Sequence, residues 1–129
     1  MNQLVVDAPG TVTWHDIPEP DLRDAGQALV RPLAVALCDM DHAMATGTAP
    51  VPAPIHLGHE CIAEVLEVGR DVTTVRPGDR VIVPFQISCG ACVECSSGLT
   101  GSCGSVEQLA MYGFGAFGHD WGGMLTDVV

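Results

Sequence analysis

Short apolar runs that alternate with polar residues, and that end at glycine or proline, make up most of the sequence. This two-residue period, with many β-branched residues, is typical of strands that bury one face. The pattern predicts strands at 3–7, 11–14, 28–37, 61–69 and 80–85, with a further strand at 122–129. Pro9-Gly10 and the segment RPGD, 76–79, predict tight turns. Because proline lacks an N–H group, Pro32 predicts an edge strand or a bulge.

Only one segment, CDMDHAMATG at 38–47, has the composition of a helix. Its alanine and methionine residues favour helix, and Gly47 can end the helix in the left-handed conformation. Many short strands with one or two helical turns predict a mainly β fold, a partly open β-barrel. The 129 residues suit one compact domain.

The charge balance excludes one class of partner. Sixteen Asp and Glu residues face five arginines, and the net charge of −11 repels phosphate, so we expect no nucleic-acid partner. The opening residues lack a secretory signal, and the most apolar segment, 28–38, is too short to span a membrane. We therefore expect a cytoplasmic protein, in which cysteines indicate metal binding or catalysis rather than disulfides.

Four of the six cysteines form one cluster, with gaps of two, two and seven residues: Cys89, Cys92, Cys95 and Cys103. Glycines at positions 90, 98, 101 and 104 allow this loop to fold around one centre. Four thiolates suit tetrahedral zinc and leave no position for substrate, which predicts a structural site. An iron–sulfur cluster is an alternative, although the ferredoxin run continues x3-C-P, whereas here the gap is longer and Ser105 is no proline. Free or disulfide-bonded thiols are the third interpretation.

A second group of candidate ligands comprises Cys38, His59 and Glu60. Each residue alone is more often a packing or surface residue than a ligand. Together they offer soft, intermediate and hard ligands, and Asp41 is well placed to accept the second ring N–H of a metal-binding histidine.

These motifs resemble those of the zinc-dependent alcohol dehydrogenases of the medium-chain dehydrogenase/reductase superfamily. The resemblance rests on GHE at 58–60, PGDRV at 77–81, the four-cysteine spacing and the Cys38–Asp41 pair, which occur in the family's order. It implies that residues 1–129 are a GroES-like catalytic domain with a structural zinc lobe at about 86–112. In that family a nucleotide-binding domain follows, and it is absent from this chain.

The resemblance also implies roles for the candidate ligands. Cys38 and His59 are expected to bind a catalytic zinc. Glu60 is expected beside it, either next to the ligands without binding the metal or as a ligand that exchanges with them, and Asp41 is expected to orient His59. The Cys89–Cys103 loop is expected to hold the structural zinc. A zinc ion with an open position polarises an alcohol oxygen and lowers its pKa, which allows hydride release at neutral pH.

The implied activity is oxidation of a small-molecule alcohol to an aldehyde or ketone with NAD or NADP. A homo-oligomer is a possible state of the complete enzyme. A third ligand of the catalytic zinc is expected beyond Val129, so we expect a truncated chain that is inactive alone. Two alternatives stay open: a non-enzymatic zinc-stabilised GroES-like binding domain, and an iron–sulfur electron-transfer protein.

Some positions depart from the family pattern. Met40 stands where a serine or threonine usually relays the alcohol proton, and Asp39 stands where some relatives carry a basic or small residue near cofactor phosphate. Ala43 replaces a common histidine, and His42, one residue early, is rotated by about 100° on a helix.

Other residues of chemical interest receive a structural interpretation. The segment GFGAFG at 113–118 matches G-x-G-x-x-G but lacks the strand and helix of a dinucleotide fingerprint, so we interpret it as a glycine-rich loop. We expect Cys61 to be a packing residue. The remaining histidines are predicted to be surface residues: His15, His56 and His119.

Overall fold

The computed structural model describes residues 1–115 and 121–129. Strands account for most of the regular structure: β1 (Asn2–Ala8), β2 (Thr11–Asp16), β3 (Ala28–Val35), β4 (Ile55–His56), β5 (Cys61–Val68) and β6 (Arg80–Val83). The helices are α1 (Asp39–Thr46), the single turn α2 (Val93–Ser96) and a 3-10 turn at Thr100–Ser102. Apart from β4 and the turns at 93–102, these elements lie where the hydrophobic pattern predicts them.

The first sheet has the strand order β2-β1-β4. Strands β1 and β2 form an antiparallel hairpin whose turn is the predicted Pro9-Gly10 pair, and Gly10 has the positive φ, +77°, that glycine tolerates. Strand β4 pairs with Val5 and Val6 on the other side of β1. It has only two residues, too few for a periodic signal in the sequence.

The second sheet has the antiparallel order β3-β5-β6. Strand β3 lies at its edge, and its register with β5 shifts between Pro32 and Ala34. The prediction of an edge strand or a bulge at Pro32 is therefore confirmed on both counts. Strands β3 and β6 each end two residues earlier than predicted, at Val35 and Val83.

The predicted strand at 122–129 is wrong, because this segment forms only scattered backbone pairs. Leu125 bonds to Leu4 and Leu57 beside the first sheet, whereas Val129 exchanges two hydrogen bonds with Val30 of the second. The segment crosses from one sheet to the other, so it never follows one neighbour long enough to form a strand. It joins two open sheets, which matches the expected partly open, mainly β fold rather than a closed barrel.

The apolar core has two parts. One part is formed by residues of the second sheet with Met124: Val30, Cys61, Ala63, Val65 and Met124. The other is formed by residues of the first sheet with Met44 and Leu57: Val6, Met44, Ile55 and Leu57. Cys61 is a packing residue, as predicted, and burial raises the pKa of its thiol to about 11.

Helix α1 packs its C-terminal end against the β1–β2 hairpin. Gly47 ends the helix in the left-handed conformation, with φ +76°, as predicted. A Cβ atom at Gly47 would lie 2.5 Å from Cβ of Pro9, so the helix and the hairpin approach closely only because this residue is glycine. No helix in the described ranges is both long and apolar enough to cross a bilayer.

The two methionines of α1 give a matched test of this packing. Met44 is 1% exposed, whereas Met40 on the same helix is 43% exposed. We expect Met44→Ala to lower the free energy of unfolding by about 2–5 kcal/mol, because it leaves a cavity in the core. Met40→Ala should change it by less than about 0.5 kcal/mol. Urea unfolding measures both values, and equal losses would contradict this packing of α1.

Candidate metal centres

The four-cysteine loop is closed at its base by backbone pairing. Gln86 forms a bridge with Met111, and the N–H of Ile87 donates to the carbonyl of Ala110. Between these paired ends lie the four cysteines. The loop with its base, residues 86–112, is called the thiol lobe below.

The four sulfur atoms of the thiol lobe converge on one point, all within 4.8 Å of one another. The Cys89 and Cys95 sulfurs are 4.0 Å apart, and those of Cys92 and Cys103 are 3.9 Å apart. Tetrahedral zinc with bonds of about 2.3 Å to sulfur separates its ligands by about 3.8 Å. A disulfide needs about 2 Å, and all four thiols are free. The spacing therefore fits a single tetrahedral ion.

Local backbone structure brings the sulfurs together. Gly90 and Gly98 adopt positive φ angles of +71° and +81°, where their lack of a side chain is needed. Gly101 and Gly104, also expected to assist, do not have positive φ. The turn α2 starts after Cys92 and carries Cys95 inward, where it is buried.

The protonation preferences of the thiols differ. Backbone N–H groups of Ala91 and Cys92 donate to the Cys89 sulfur and lower the pKa of that thiol to about 6. The N–H of Cys89 similarly lowers the pKa of Cys103. Burial raises the pKa of Cys95 to about 12. Two of the thiols are thus held toward the thiolate form that a metal ligand requires.

The second candidate centre lies where the chain enters α1. Cys38 is the residue before the helix, and its sulfur accepts a hydrogen bond from the N–H of Met40 at 3.3 Å. The Cys38 sulfur lies 3.7 Å from Nε2 of His59. Zinc bound to one sulfur and one imidazole nitrogen separates them by about 3.6 Å, so this pair also fits a tetrahedral ion.

Asp41 connects the two halves of this centre. Its Oδ2 accepts the backbone N–H of Cys38 at 2.8 Å, and its Oδ1 lies 3.3 Å from Nδ1 of His59. Asp41 is 5% exposed, and neither Oδ1 nor Nδ1 makes a hydrogen bond of good geometry within the described residues. A buried carboxylate beside one ring nitrogen leaves the other nitrogen for a metal. Cys38, Asp41 and His59 are called the open centre below.

Glu60 lies outside the open centre, although the sequence places it next to His59. Its side chain is exposed, and its carboxylate is not among the ligand atoms that converge there. It borders a shallow apolar depression with Ile62 and Ile82 instead.

The other histidines lie apart from both centres. The side chain of His15 on β2 is 42% exposed, with Nε2 3.0 Å from Asp7, in line with the predicted surface position. His56 is half-buried in β4, so it is not the plain surface residue predicted. His119 and part of the segment 113–118 lie outside the described residues.

One aromatic contact of His59 has no signal in the sequence. The ring of Phe114 lies 5.5 Å from the ring of His59, measured between centroids. From the sequence, the segment that carries Phe114 is predicted only to be a glycine-rich loop, and no local pattern pairs it with a histidine 55 positions earlier.

Comparison with known proteins places this arrangement in a family. The profile described as "Alcohol dehydrogenase GroES-like domain" matches residues 24–129. Glutathione-independent formaldehyde dehydrogenase of Pseudomonas aeruginosa is 38% identical over 122 residues, covering 89% of this chain and 30% of the relative. Alcohol dehydrogenase class-3 of Zea mays is 42% identical over 90 residues, covering 69% of this chain and 24% of the relative.

Solved structures give the same result. The alcohol dehydrogenase TADH from Thermus sp. ATN1 matches all of this chain and 36% of its own, with a TM-score of 0.83 and 30% identity. The cobalt- and zinc-bound thermostable alcohol dehydrogenase from Pyrobaculum aerophilum matches with a TM-score of 0.69 and 25% identity, over 100% of this chain and 38% of its own. The chain thus spans about a third of these relatives. It belongs to the alcohol dehydrogenase GroES-like domain family, within the zinc-type medium-chain dehydrogenases.

Proposed function

We propose that this chain is the catalytic-domain part of a zinc-dependent, NAD- or NADP-linked dehydrogenase that oxidises a small-molecule alcohol to an aldehyde or ketone. The observation that carries the proposal is the 3.7 Å approach of the Cys38 sulfur to Nε2 of His59, with Asp41 behind the imidazole. Family membership and the dehydrogenase names of the relatives support it.

In this proposal, Cys38 and His59 hold a zinc ion that keeps room for substrate. Cys38 is exposed, so the open centre is accessible from one side, whereas Asp41 is buried on the other. Zinc with an open position polarises an alcohol oxygen and lowers its pKa. Asp41 accepts the backbone N–H of Cys38 through Oδ2 and places Oδ1 3.3 Å from Nδ1 of His59, which leaves Nε2 for the metal. Glu60, being exposed, acts at most as an exchanging ligand after a change of side-chain rotamer.

The thiol lobe has a different role in the proposal. Four sulfurs fill every position of a tetrahedral ion, so substrate has no place there. Sulfurs that all lie within 4.8 Å of one another leave no room for a cluster with several irons and sulfides between them, which weakens the electron-transfer alternative. The thiol lobe is therefore proposed to hold a structural zinc.

The nicotinamide cofactor is proposed to bind outside this chain. The strands in the described residues pair only antiparallel, whereas a dinucleotide pyrophosphate binds at the glycine-rich turn of a parallel strand–helix–strand unit. The rest of a longer enzyme is likewise proposed to supply a third protein ligand of the zinc and the residues that select NAD or NADP. That longer enzyme is proposed as a possible homo-oligomer. The chain alone is therefore expected to be inactive, because hydride transfer needs both reactants held together.

Met40 favours a second candidate function, a zinc-stabilised binding domain without catalysis. Its thioether cannot pass on the proton that an alcohol loses, and it lies two residues beyond Cys38 at the start of α1. If the protein is an enzyme, this proton leaves by another group or by water.

We expect the two centres to retain zinc differently. The thiol lobe offers four thiolates from one short segment, whereas Cys38 and His59 are two protein ligands, which hold zinc weakly. After mild chelation, elemental analysis should find about one zinc per chain in the unaltered protein, in Cys38→Ala and in the control Cys61→Ser. Cys95→Ser should lose that zinc. Loss of the retained zinc in Cys38→Ala, or its survival in Cys95→Ser, would contradict the assignment.

A chimera tests the catalytic role. In the chimera, this chain replaces the matching segment of the Thermus alcohol dehydrogenase, which is 36% of that enzyme and matches this chain over its full length. We expect the chimera to form NAD(P)H from small alcohols. Cys38→Ala in the chimera should lower the rate of NAD(P)H formation at least about a hundredfold, and the chain alone should form no NAD(P)H. A folded chimera that binds zinc and cofactor but transfers no hydride would support the binding-domain candidate instead.

A further inference from the structure

The imidazole of His59 contacts an aromatic side chain from a distant part of the sequence. The Phe114 ring lies 5.5 Å from it, with 49° between the ring planes. This tilted arrangement is favourable between aromatic rings. The contact joins the open centre to the segment that follows the thiol lobe.

Phe114 reaches this position because the residue before it is glycine. Gly113 is buried and has φ +80°. A Cβ atom there would lie 2.6 Å from the carbonyl oxygen of Gly58 and 2.9 Å from Cβ of His59. The two backbones touch, so the next side chain, Phe114, falls beside the imidazole.

The segment around Gly113 is fixed by hydrogen bonds on both sides. The N–H of Tyr112 donates to the carbonyl of Phe85 at 2.9 Å, and the N–H of Gly113 donates to the carbonyl of Gly122 at 2.7 Å. The backbone that presents Phe114 is therefore held in place from two neighbouring segments.

The Phe114 ring is itself packed on its other sides. Phe85 lies 6.3 Å away between ring centroids. Phe114 also packs against the buried cluster beside the first sheet, which includes Met44, Ile55 and Leu57. A ring supported in this way resists displacement, so it can restrict the rotation of a neighbouring side chain.

The polar contacts of His59 do not restrict its ring to the same degree. Nδ1 lies 3.3 Å from Asp41 without a well-formed hydrogen bond, and the Cys38 sulfur at 3.7 Å from Nε2 is a weak partner. Rotation about the Cβ–Cγ bond of histidine has a broad energy well. The apolar face of Phe114 therefore supplies the constraint that the polar atoms lack.

We propose that Phe114 is a positioning residue of the open centre, which holds the His59 imidazole with Nε2 toward Cys38 and Nδ1 toward Asp41. The proposal rests on the proposed function, in which Cys38 and His59 bind the metal. Phe114 acts through His59 and touches neither metal nor substrate in this proposal.

Cobalt binding tests the proposal in the 129-residue chain. Zinc first fills the thiol lobe, and Co²⁺ is then titrated while its visible absorption is recorded. We expect Phe114→Leu to weaken Co²⁺ binding at the open centre about tenfold, the size seen when groups that orient a metal ligand are removed. Phe114→Tyr keeps the ring and should restore affinity to within about twofold.

Trp121→Leu is the matched control. Trp121 pairs edge-on with Tyr112 at 6.2 Å, in the same region, and is not a ring partner of His59. It should leave Co²⁺ affinity within about twofold of the unaltered chain. If Phe114 only contributed to packing, Phe114→Leu would lower the melting temperature but leave the affinity and absorption spectrum of the folded protein unchanged. That result would overturn the proposal.

A second measurement separates this proposal from the function on which it rests. If Cys38→Ala binds Co²⁺ as the unaltered chain does, the proposed metal site fails. The positioning role is then decided by ¹³C relaxation of the His59 ring without metal. Greater ring mobility in Phe114→Leu, but not in Phe114→Tyr, supports it, and equal mobility in all three proteins overturns it.

Discussion

The convergence of four sulfur atoms between Gln86 and Met111 is the constraint on which the rest of the site region depends. Within this stretch only Cys95 and Ala110 are buried, and the regular structure is one helical turn and one 3-10 turn. So little apolar burial cannot offset the entropy of ordering the loop. The sulfur separations of 3.9 and 4.0 Å fit one tetrahedral ion, and we propose that its coordination supplies the missing stabilisation.

This closed loop determines where the following residues lie. Met111 pairs with Gln86 at the base of the thiol lobe. Shortly after it, Gly113 lies against Gly58, and Phe114 lies beside His59. Gly58 also accepts a hydrogen bond from Met124, in the segment that joins the two sheets. The thiol lobe and the open centre are thus connected through a few close backbone contacts. Incorrect closure of the thiol lobe would therefore displace the residues that pack against His59.

The sequence allowed prediction where the signal was local. Four cysteines within fifteen residues, the helix ended by Gly47 and the irregularity at Pro32 each depend on near neighbours, and the structure contains all three. Strand β4 and the path of 122–129 were not predictable, because their pairing depends on strands far away in the chain. The position of Phe114 against His59, and that of Glu60 outside the open centre, likewise arise from the tertiary fold.

In the proposed structure of the thiol lobe, its four thiolates share one tetrahedral zinc ion. X-ray absorption at the zinc edge, recorded on the chain after mild chelation, tests it most directly. We expect sulfur alone around the retained zinc, about four atoms at about 2.3 Å. Nitrogen or oxygen neighbours at about 2.0–2.2 Å in that retained site, or iron in place of zinc, would contradict it.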